Sequence, residues 1–409
     1  MPDKPYEDVQ IKGHLIDSLV MPQIMDHIMD LDGEFEVLTF DVGRHKDDPS
    51  NAVMRIFGRD AAHLDELLTA ITSHGVVAVR PQDVVLETAD MDGAFPVHFY
   101  STTNLDTYVR LGAEWVRVEH PEMDCGIRVD VQAGTAETVA IADVREGDRL
   151  VTGHKGVRVL PLERTRESQP FEFMASAVSS EKPKAQIVRE VARLLRQVKK
   201  EGRLTIAVVG PAVVHTGAAP QLARLIEAGY VGAVFGGNAV ATHDIESNLY
   251  GTSLGINLKR GTPEPGGHEH HLRAINTIRR CGGIKAAIDQ GVLTGGLMHT
   301  LVTTGTPFVL AGSIRDDGPM PEVISDVMLA QREMRKYAQQ AGACLMLSTM
   351  LHSIAVGNML PASVRTVCAD INPAVVTKLA DRGSFQAIGI VTDVGLFVEQ
   401  LANELDGGC

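Results

Sequence analysis

LTIAVVG (residues 204–210) is a short, unbroken apolar run, and it opens a series that decides the fold. VGAVFGG (231–237), PFVLAG (307–312), ACLMLS (343–348), SVRTVCAD (363–370) and FQAIGIVTD (385–393) follow, with helical patterns between most of them. Apolar strands alternating with helices are the signature of a parallel sheet covered on both faces. Residues 203–409 are therefore expected to form a doubly wound α/β domain. The 39 glycines suit the tight turns that such a fold needs at its strand ends.

In doubly wound sheets ligands bind outside the carboxyl ends of the strands. That rule selects Gly210, Gly236 to Asn238, Ala311 to Ser313, Ser348 and Thr349, Asp370, and Thr392 with Asp393. Asp370 carries the most information. A carboxylate there can accept hydrogen bonds from both ribose hydroxyls of adenosine and would repel a 2′-phosphate, which favours NAD over NADP. It can equally be a helix N-cap, although Asn372 could serve as that cap instead. Gly236-Gly237-Asn238 lets the backbone approach a ligand closely, or simply makes a turn. In the polar loop from Gly312 to Pro319, Asp316 or Asp317 touches a ligand or caps a helix opened by Pro319 or Pro321. No Gly-x-Gly-x-x-Gly follows the first strand, so the common dinucleotide fingerprint is missing.

Working outward, residues 183–200 form an amphipathic helix with Ile187, Val191, Leu194, Leu195 and Val198 on one stripe, and the polar stretch SSEKPKAQ before it is a linker. The first half reads differently. A helical pattern over 15–31, the alternating DGEFEVLTFDVG, the run AVMRIFG, a helix capped by Asp60 and running to Ser73, and VVAVRP make a small α+β module. Short runs (WVRVEH, IRVDVQ, TVAIADV, RLVTG, VRVLPL) then make a β-rich extension, with Gly153 and Gly156 near a hairpin turn. The expected division is a substrate and oligomerisation domain at 1–180, a linker helix at 181–202 and the nucleotide domain at 203–409.

Composition bounds the function. A net charge of −14 argues against nucleic acid as a partner. The polar N-terminus is not a signal peptide, and the most apolar stretch, Cys344 to Leu360, is broken by Ser348, Thr349, His352 and Asn358, so no membrane span is expected. Cys344 and Cys368 read as buried thiols, and the five cysteines include no Cys-x-x-Cys pair, which fits a reducing, cytoplasmic setting. The cluster His268 to His271 lacks a zinc-ligand spacing and reads as an exposed helix start, so no metal is expected. Glu122-Met123-Asp124-Cys125-Gly126 lies between two β runs. Asp124 is a candidate to bind an amine or act as a base, with Cys125 in the same pocket, against the alternative of a turn aspartate and a packed cysteine.

Those residues also carry a resemblance. Lys12 to Ser18, Asp47-Asp48-Pro49-Ser50 and Glu122 to Cys125 resemble the conserved region named after lysine-oxoglutarate reductase/saccharopine dehydrogenase. Gly210 to Gly217, Gly236 to Ala239 and His243-Asp244-Ile245-Glu246 are similar to the archaeal-type ornithine cyclodeaminases and to the C-terminal part of cyanobacterial arginine dihydrolase/ornithine cyclodeaminase fusions. The resemblance implies an α+β domain followed by a Rossmann-like domain akin to deoxyhypusine synthase. It implies NAD, a homo-oligomer, and conversion of L-ornithine to L-proline with loss of ammonia. A hydride passes from the carbon bearing the α-amine to NAD⁺, the δ-amine attacks the iminium, ammonia leaves and the hydride returns to the ring. Carried over by position, the nucleotide contacts are Gly237, Asn238, Asp316, Leu347, Ser348, Thr349, Met350, Leu351, Asp370, Thr392 and Asp393. Asp124 and Cys125 remain the catalytic candidates; Asn104, Arg110 and Arg128 are candidates for the substrate carboxylate.

Two other functions fit the same residues. A transferase or dehydrogenase acting on another amino acid or a polyamine would use Lys259, Lys285 or Lys378 to form an imine, though none stands at a strand end. A non-catalytic amino-acid sensor would bind without turnover.

Overall fold

The computed structural model describes residues 4–16, 20–43, 45, 48–161, 184–257, 267–316, 318–381 and 387–407. The chain forms two compact units, residues 1–170 and 171–409.

The first unit opens with β1 (Tyr6–Gly13), α1 (Val20–Asp30), β2 (Glu34–Asp41), β3 (Ser50–Phe57), α2 (Ala61–Thr72) and the short β4 (Val77–Ala78). They make an antiparallel sheet of order β2-β3-β1-β4. Val9 and Ile11 of β1 alternate inward to meet Ile24 and Ile28 of α1 and Leu67 and Ile71 of α2 in one core. Asp60 caps α2, accepting the His63 amide at 2.9 Å. The strand β1 comes from residues read in the sequence only as a polar terminus.

The β-rich extension holds β5 (Val85–Thr88), β6 (Thr107–Leu111), β7 (Glu114–Glu119), β8 (Gly126–Asp130), β9 (Thr135–Val139), β10 (Arg149–Thr152) and β11 (Val157–Val159). Their order is β11-β6-β7-β9-β8-β10-β5. The expected hairpin at Gly153 and Gly156 is not there: β10 pairs with β5 and β8, whereas β11 pairs with β6. Five strand steps separate β10 from β11, roughly 24 Å in a flat sheet. The link between them, residues 153–156, bridges at most about 18 Å. The sheet must therefore curl back on itself, and the left-handed Gly153 and Gly156 turn the chain between its two sides.

The second unit begins with α3 (Lys184–Lys200), whose Ile187, Val191, Leu195 and Val198 are buried in this unit's main core. Then come β12 (Leu204–Val209), α4 (Ala212–His215), α5 (Ala219–Glu227), β13 (Ala233–Gly237), α6 (Asn238–Tyr250) and a small hairpin of β14 (Thr252–Ser253) and β15 (Ile256–Asn257). Next are α7 (His270–Cys281), α8 (Ile284–Asp289), α9 (Leu297–Thr304), β16 (Phe308–Ala311) and β17 (Val323–Ile324). Last come α10 (Val327–Ala338), β18 (Ala341–Leu347), α11 (Leu351–Met359), β19 (Arg365–Asp370), α12 (Pro373–Asp381), β20 (Ala387–Val391) and α13 (Val394–Asp406).

All seven strands of this unit's main sheet run parallel in the order β17-β16-β13-β12-β18-β19-β20. The chain starts at the centre on β12, works outward to β17, then crosses to β18 and works outward the other way. Successive residues of β12 feed opposite cores: Ile206 and Val208 pack under α10 and α11, Ala207 and Val209 under α3, α5 and α13. Six of the strands are the six apolar runs of the sequence. The seventh, β17, is a two-residue edge inside a segment read as loop. That segment holds a correction: α10 is capped by Asp326, which accepts the Met328 and Leu329 amides, and not by Asp316. Asp317 lies outside the described residues.

Candidate functional site

The reversal between β12 and β18 fixes where a ligand belongs, because the connections leaving these two strands depart in opposite directions and open a crevice at the carboxyl edge. Hydrogen bonds stitch the strand ends of that edge together. The Gly210 amide donates to Leu347 O at 2.9 Å, the Ser348 amide to Ala369 O at 3.0 Å, and the Thr392 amide to Asp370 O at 3.0 Å. Ser348 stands at φ 49°, a left-handed conformation that a non-glycine residue adopts only where its surroundings impose it.

Gly237 ends β13, and a Cβ there would meet His352 Cε1 at 3.1 Å, so the missing side chain is the space the imidazole uses. His352 lies in the first turn of α11. Burial lowers its pKa, and the carboxylate of Asp316 pulls it partly back. Asp316 is itself held by the Ser313 amide at 2.8 Å. Asn238 opens α6, is buried, and accepts the Met320 amide at 3.0 Å, which anchors the long loop leading to β17.

Asp370 is buried at the end of β19 and accepts the Asn372 amide at 2.8 Å. Asn372 in turn accepts the Ala374 amide at 3.0 Å in the first turn of α12. The cap is thus made by Asn372, and Asp370 holds the turn before it. Asp393 behaves otherwise: its carboxylate caps α13 by accepting the Leu396 amide at 2.9 Å. Thr392 beside it is buried.

The structure therefore brings Gly237, Asn238, Asp316, Ser348, Thr349, Asp370 and Thr392 to one edge of one sheet. Leu347 faces the core with no exposure, so it offers the crevice only backbone. Met350 and Leu351 are exposed at the start of α11. His352 was missed in the sequence, one residue beyond the run selected there. Two buried hydroxyls, Thr242 Oγ1 on α6 and Ser353 Oγ on α11, have no hydrogen-bond partner among the described residues.

Asp124 and Cys125 belong to the first unit. Asp124 is exposed at φ 62° in a tight turn, its amide donating to Thr102 O at 3.1 Å. Cys125 is buried beneath that turn, its amide donating to Thr102 Oγ1 at 3.0 Å. Arg110 pairs with Asp83 at 2.9 Å, and Arg128 with Glu137 at 2.7 Å and Asp148 at 3.2 Å, while Asn104 is buried. In the second unit Lys285 pairs with Asp289 on the surface of α8, and Lys378 approaches Met350 Sδ at 3.9 Å. Lys259 and the side chain of His268 lie outside the described residues; His270 opens α7 and its Nδ1 is 2.8 Å from Thr252 Oγ1. Cys344 and Cys368 are buried, and burial raises both thiols, Cys368 to about 12.

Fold and crevice together define a Rossmann-type α/β protein whose polar groups converge on the switch point of its sheet. Comparison with known proteins agrees. The C-terminal Rossmann fold of arginine dihydrolase ArgZ-like proteins matches residues 189–401, the first region of that C-terminal part matches 106–188, and the LOR/SDH bifunctional enzyme conserved region matches 6–105. The ornithine cyclodeaminase of Methanocaldococcus jannaschii is 51% identical over 98% of this chain and 96% of its own length. The crystal structure of apo ArgZ from cyanobacteria superposes with a TM-score of 0.87 at 37% identity, covering 100% of this chain and 60% of that one. A ternary complex of AgrE with ornithine and NAD⁺ gives a TM-score of 0.54 at 41% identity, over 98% of this chain and 58% of that one. AgrE is the name borne by a bifunctional arginine dihydrolase/ornithine cyclodeaminase of Nostoc sp.. This chain belongs to the ornithine cyclodeaminase family of the ArgZ-like, LOR/SDH-region type.

Proposed function

We propose that this protein is an NAD-dependent ornithine cyclodeaminase that converts L-ornithine to L-proline and ammonia. The carrying observation is the 51% identity with a protein of that name over nearly the whole of both chains. The crevice supports it by fitting the cofactor. Gly210 and Gly237 let the Ser348 carbonyl and the His352 ring close in on the strand ends, and Asp370 stands buried at a strand end while Asn372 makes the helix cap. Bound there, NAD supplies a hydride acceptor that later gives the hydride back.

The chain's own residues play three parts. Asp370 accepts from the adenosine ribose hydroxyls and turns away a 2′-phosphate. Gly237, Asn238, Asp316, the turn from Leu347 to Leu351, Thr392 and Asp393 line the path of the nucleotide. In the N-terminal domain, taken as residues 1–180, Asp124 binds an amine and Cys125 lies in the wall of the same pocket; the nucleotide domain is taken as 203–409 and the linker as 181–202. Among the described residues no helix is long and apolar enough to cross a membrane. We place the enzyme in the cytoplasm as a homo-oligomer.

The test is direct. Purified protein should retain NAD, identifiable by mass spectrometry, and release ammonia and proline from ornithine with no net NADH. Net accumulation of NADH would instead favour a dehydrogenase, and a thermal shift with ornithine but no product would favour a sensor.

A further inference from the structure

The middle of α6 buries three ionisable side chains, His243, Asp244 and Glu246. Asp244 serves the fold. Its two oxygens accept the Leu297 and Met298 amides, both at 2.8 Å, and so cap α9. Glu246 caps nothing. It is fully buried, and its carboxylate gathers His243 Nδ1 at 2.9 Å, Thr252 Oγ1 at 2.9 Å, the Gly255 amide at 3.0 Å and the Leu254 amide at 3.3 Å. Burial alone would raise this carboxyl; the bonds from His243, Gly255 and Thr252 outweigh burial and hold it below its ordinary value.

An ionised carboxylate can only accept. The proton shared with His243 therefore sits on Nδ1, and in the neutral form of the ring the lone pair is on Nε2. Nε2 makes no hydrogen bond among the described residues, and 11% of the His243 side chain reaches the surface against none of Glu246. The neighbouring wall is His215, whose ring lies edge-on to His243 at 4.9 Å and 61°, with its own Nδ1 2.6 Å from Ser253 Oγ. Burial, helped by His243, lowers the pKa of His215.

The position suits the chemistry. His243 lies five residues into the helix that starts at Asn238, an axial rise of about 7.5 Å. His215 ends the short helix that follows Gly210. From β19, where Asp370 stands, to β13 is three strand steps, about 14 Å. A nucleotide whose ribose sat at Asp370 and whose body crossed β18 and β12 would bring its reactive end to the part of the edge where α4 and α6 begin.

We infer that His243 is the general base of the reaction and that Glu246 is its positioning residue. The inference rests on the ornithine reading above. Nε2 takes one proton from the α-ammonium; the nitrogen keeps the N–H electron pair, which becomes the C=N bond as the hydride leaves for the nicotinamide. The δ-amine, neutral after giving its own proton to solvent, closes the ring on that carbon. The ring nitrogen then sheds its extra proton to solvent, and the imidazolium, paired with Glu246, returns its proton to the former α-nitrogen. The ring nitrogen's freed pair forms the ring C=N bond as the C–N bond to ammonia breaks. A carboxylate that fixes the tautomer and then steadies the imidazolium is the logic of a catalytic dyad.

Three measurements test it on the NAD-loaded protein. His243→Gln should lose about 10²- to 10⁴-fold in kcat while keeping bound NAD, and imidazole added to His243→Gly should restore part of the loss. Glu246→Gln should lower kcat with little change in the KM for ornithine, and Glu246→Asp should recover part of it. In ¹⁵N-histidine spectra of the unmodified protein, His243 should carry its proton on Nδ1. Undiminished turnover in a His243→Gln protein that retains NAD overturns the assignment and leaves the cyclodeaminase standing, as does a proton found on Nε2. A wild-type protein that makes no proline from ornithine overturns both.

Discussion

A Cβ on Gly210 would run into the carbonyl oxygen of Ser348, so the turn after β12 and the turn after β18 pass each other with no room for a side chain. The obstacle is backbone, and Ser348 stands in a left-handed conformation with its amide donating a hydrogen bond to Ala369 O at 3.0 Å. Neither side can give way cheaply. Gly210→Ala should therefore destabilise the second unit by about 1–3 kcal/mol, the usual cost of overpacking. NAD should raise the thermal midpoint of the wild type, and the alanine variant should lose that response, because both turns border the crevice. An alanine variant with wild-type midpoint and NAD response would show that this contact is not what shapes the switch point.

Asp370 offers the second prediction. Its carboxylate is buried and tied on one oxygen to the Asn372 amide, while Asn372 makes the cap of α12. Asp370→Ala should weaken NAD by about 1–3 kcal/mol, the loss expected for charge-assisted hydrogen bonds. The helix should survive because its cap is untouched. Asn372→Ala should do the reverse, lowering the thermal midpoint with little change in NAD affinity. Calorimetric titration of both variants with NAD separates the two roles. Equal NAD affinity in wild type and Asp370→Ala would remove the ribose contact from that strand end.

Much of this architecture is legible in the sequence. The six apolar runs became six parallel strands because strands buried on both faces have no choice but to be apolar throughout, and that pattern needs no tertiary information. The strand ends followed from topology. Other features depended on long-range context. β17 has two residues and no pattern of its own, so the helix after it was begun too early and its cap placed near Asp316 instead of at Asp326. The link through Gly153 and Gly156 carries every local mark of a hairpin; only the curl of the whole sheet sends β10 and β11 to different partners. His352 and the pair of His243 with Glu246 were hidden for a related reason. A buried histidine looks the same in sequence whether it fills space or presents a lone pair, and the difference lies in what its other nitrogen touches.

Asp244 provides a stability test. It is completely buried, and its carboxyl is pushed up to about 6 by burial against the pull of the Met298 and Leu297 amides. Asp244→Ala would strip α9 of its cap and leave two buried amides unpaired, at a cost of about 2–4 kcal/mol. Asp244→Asn keeps one acceptor oxygen without the buried charge and should lose much less. Chemical denaturation of the three proteins checks the order. If alanine and asparagine cost the same, the amide bonds are not what Asp244 contributes.

The pH profile of stability follows from groups that pull in opposite directions. His74, His154, His215 and His352 all have pKa values lowered by burial. The folded protein therefore resists protonating them. What they contribute is present above the ordinary histidine value and is lost as pH falls from there through their lowered values. Asp244 works the other way. Its folded pKa lies above the unfolded one, so its contribution is full at low pH and is lost as pH rises through about 6. Four histidines against one aspartate should leave wild type less stable at pH 5 than at about pH 7.5. Asp244→Asn removes the opposing group, so its thermal midpoint should fall more steeply over the same interval, whereas His352→Gln should make the fall shallower. An Asp244→Asn profile parallel to wild type would mean that this carboxyl does not titrate in the window its burial assigns.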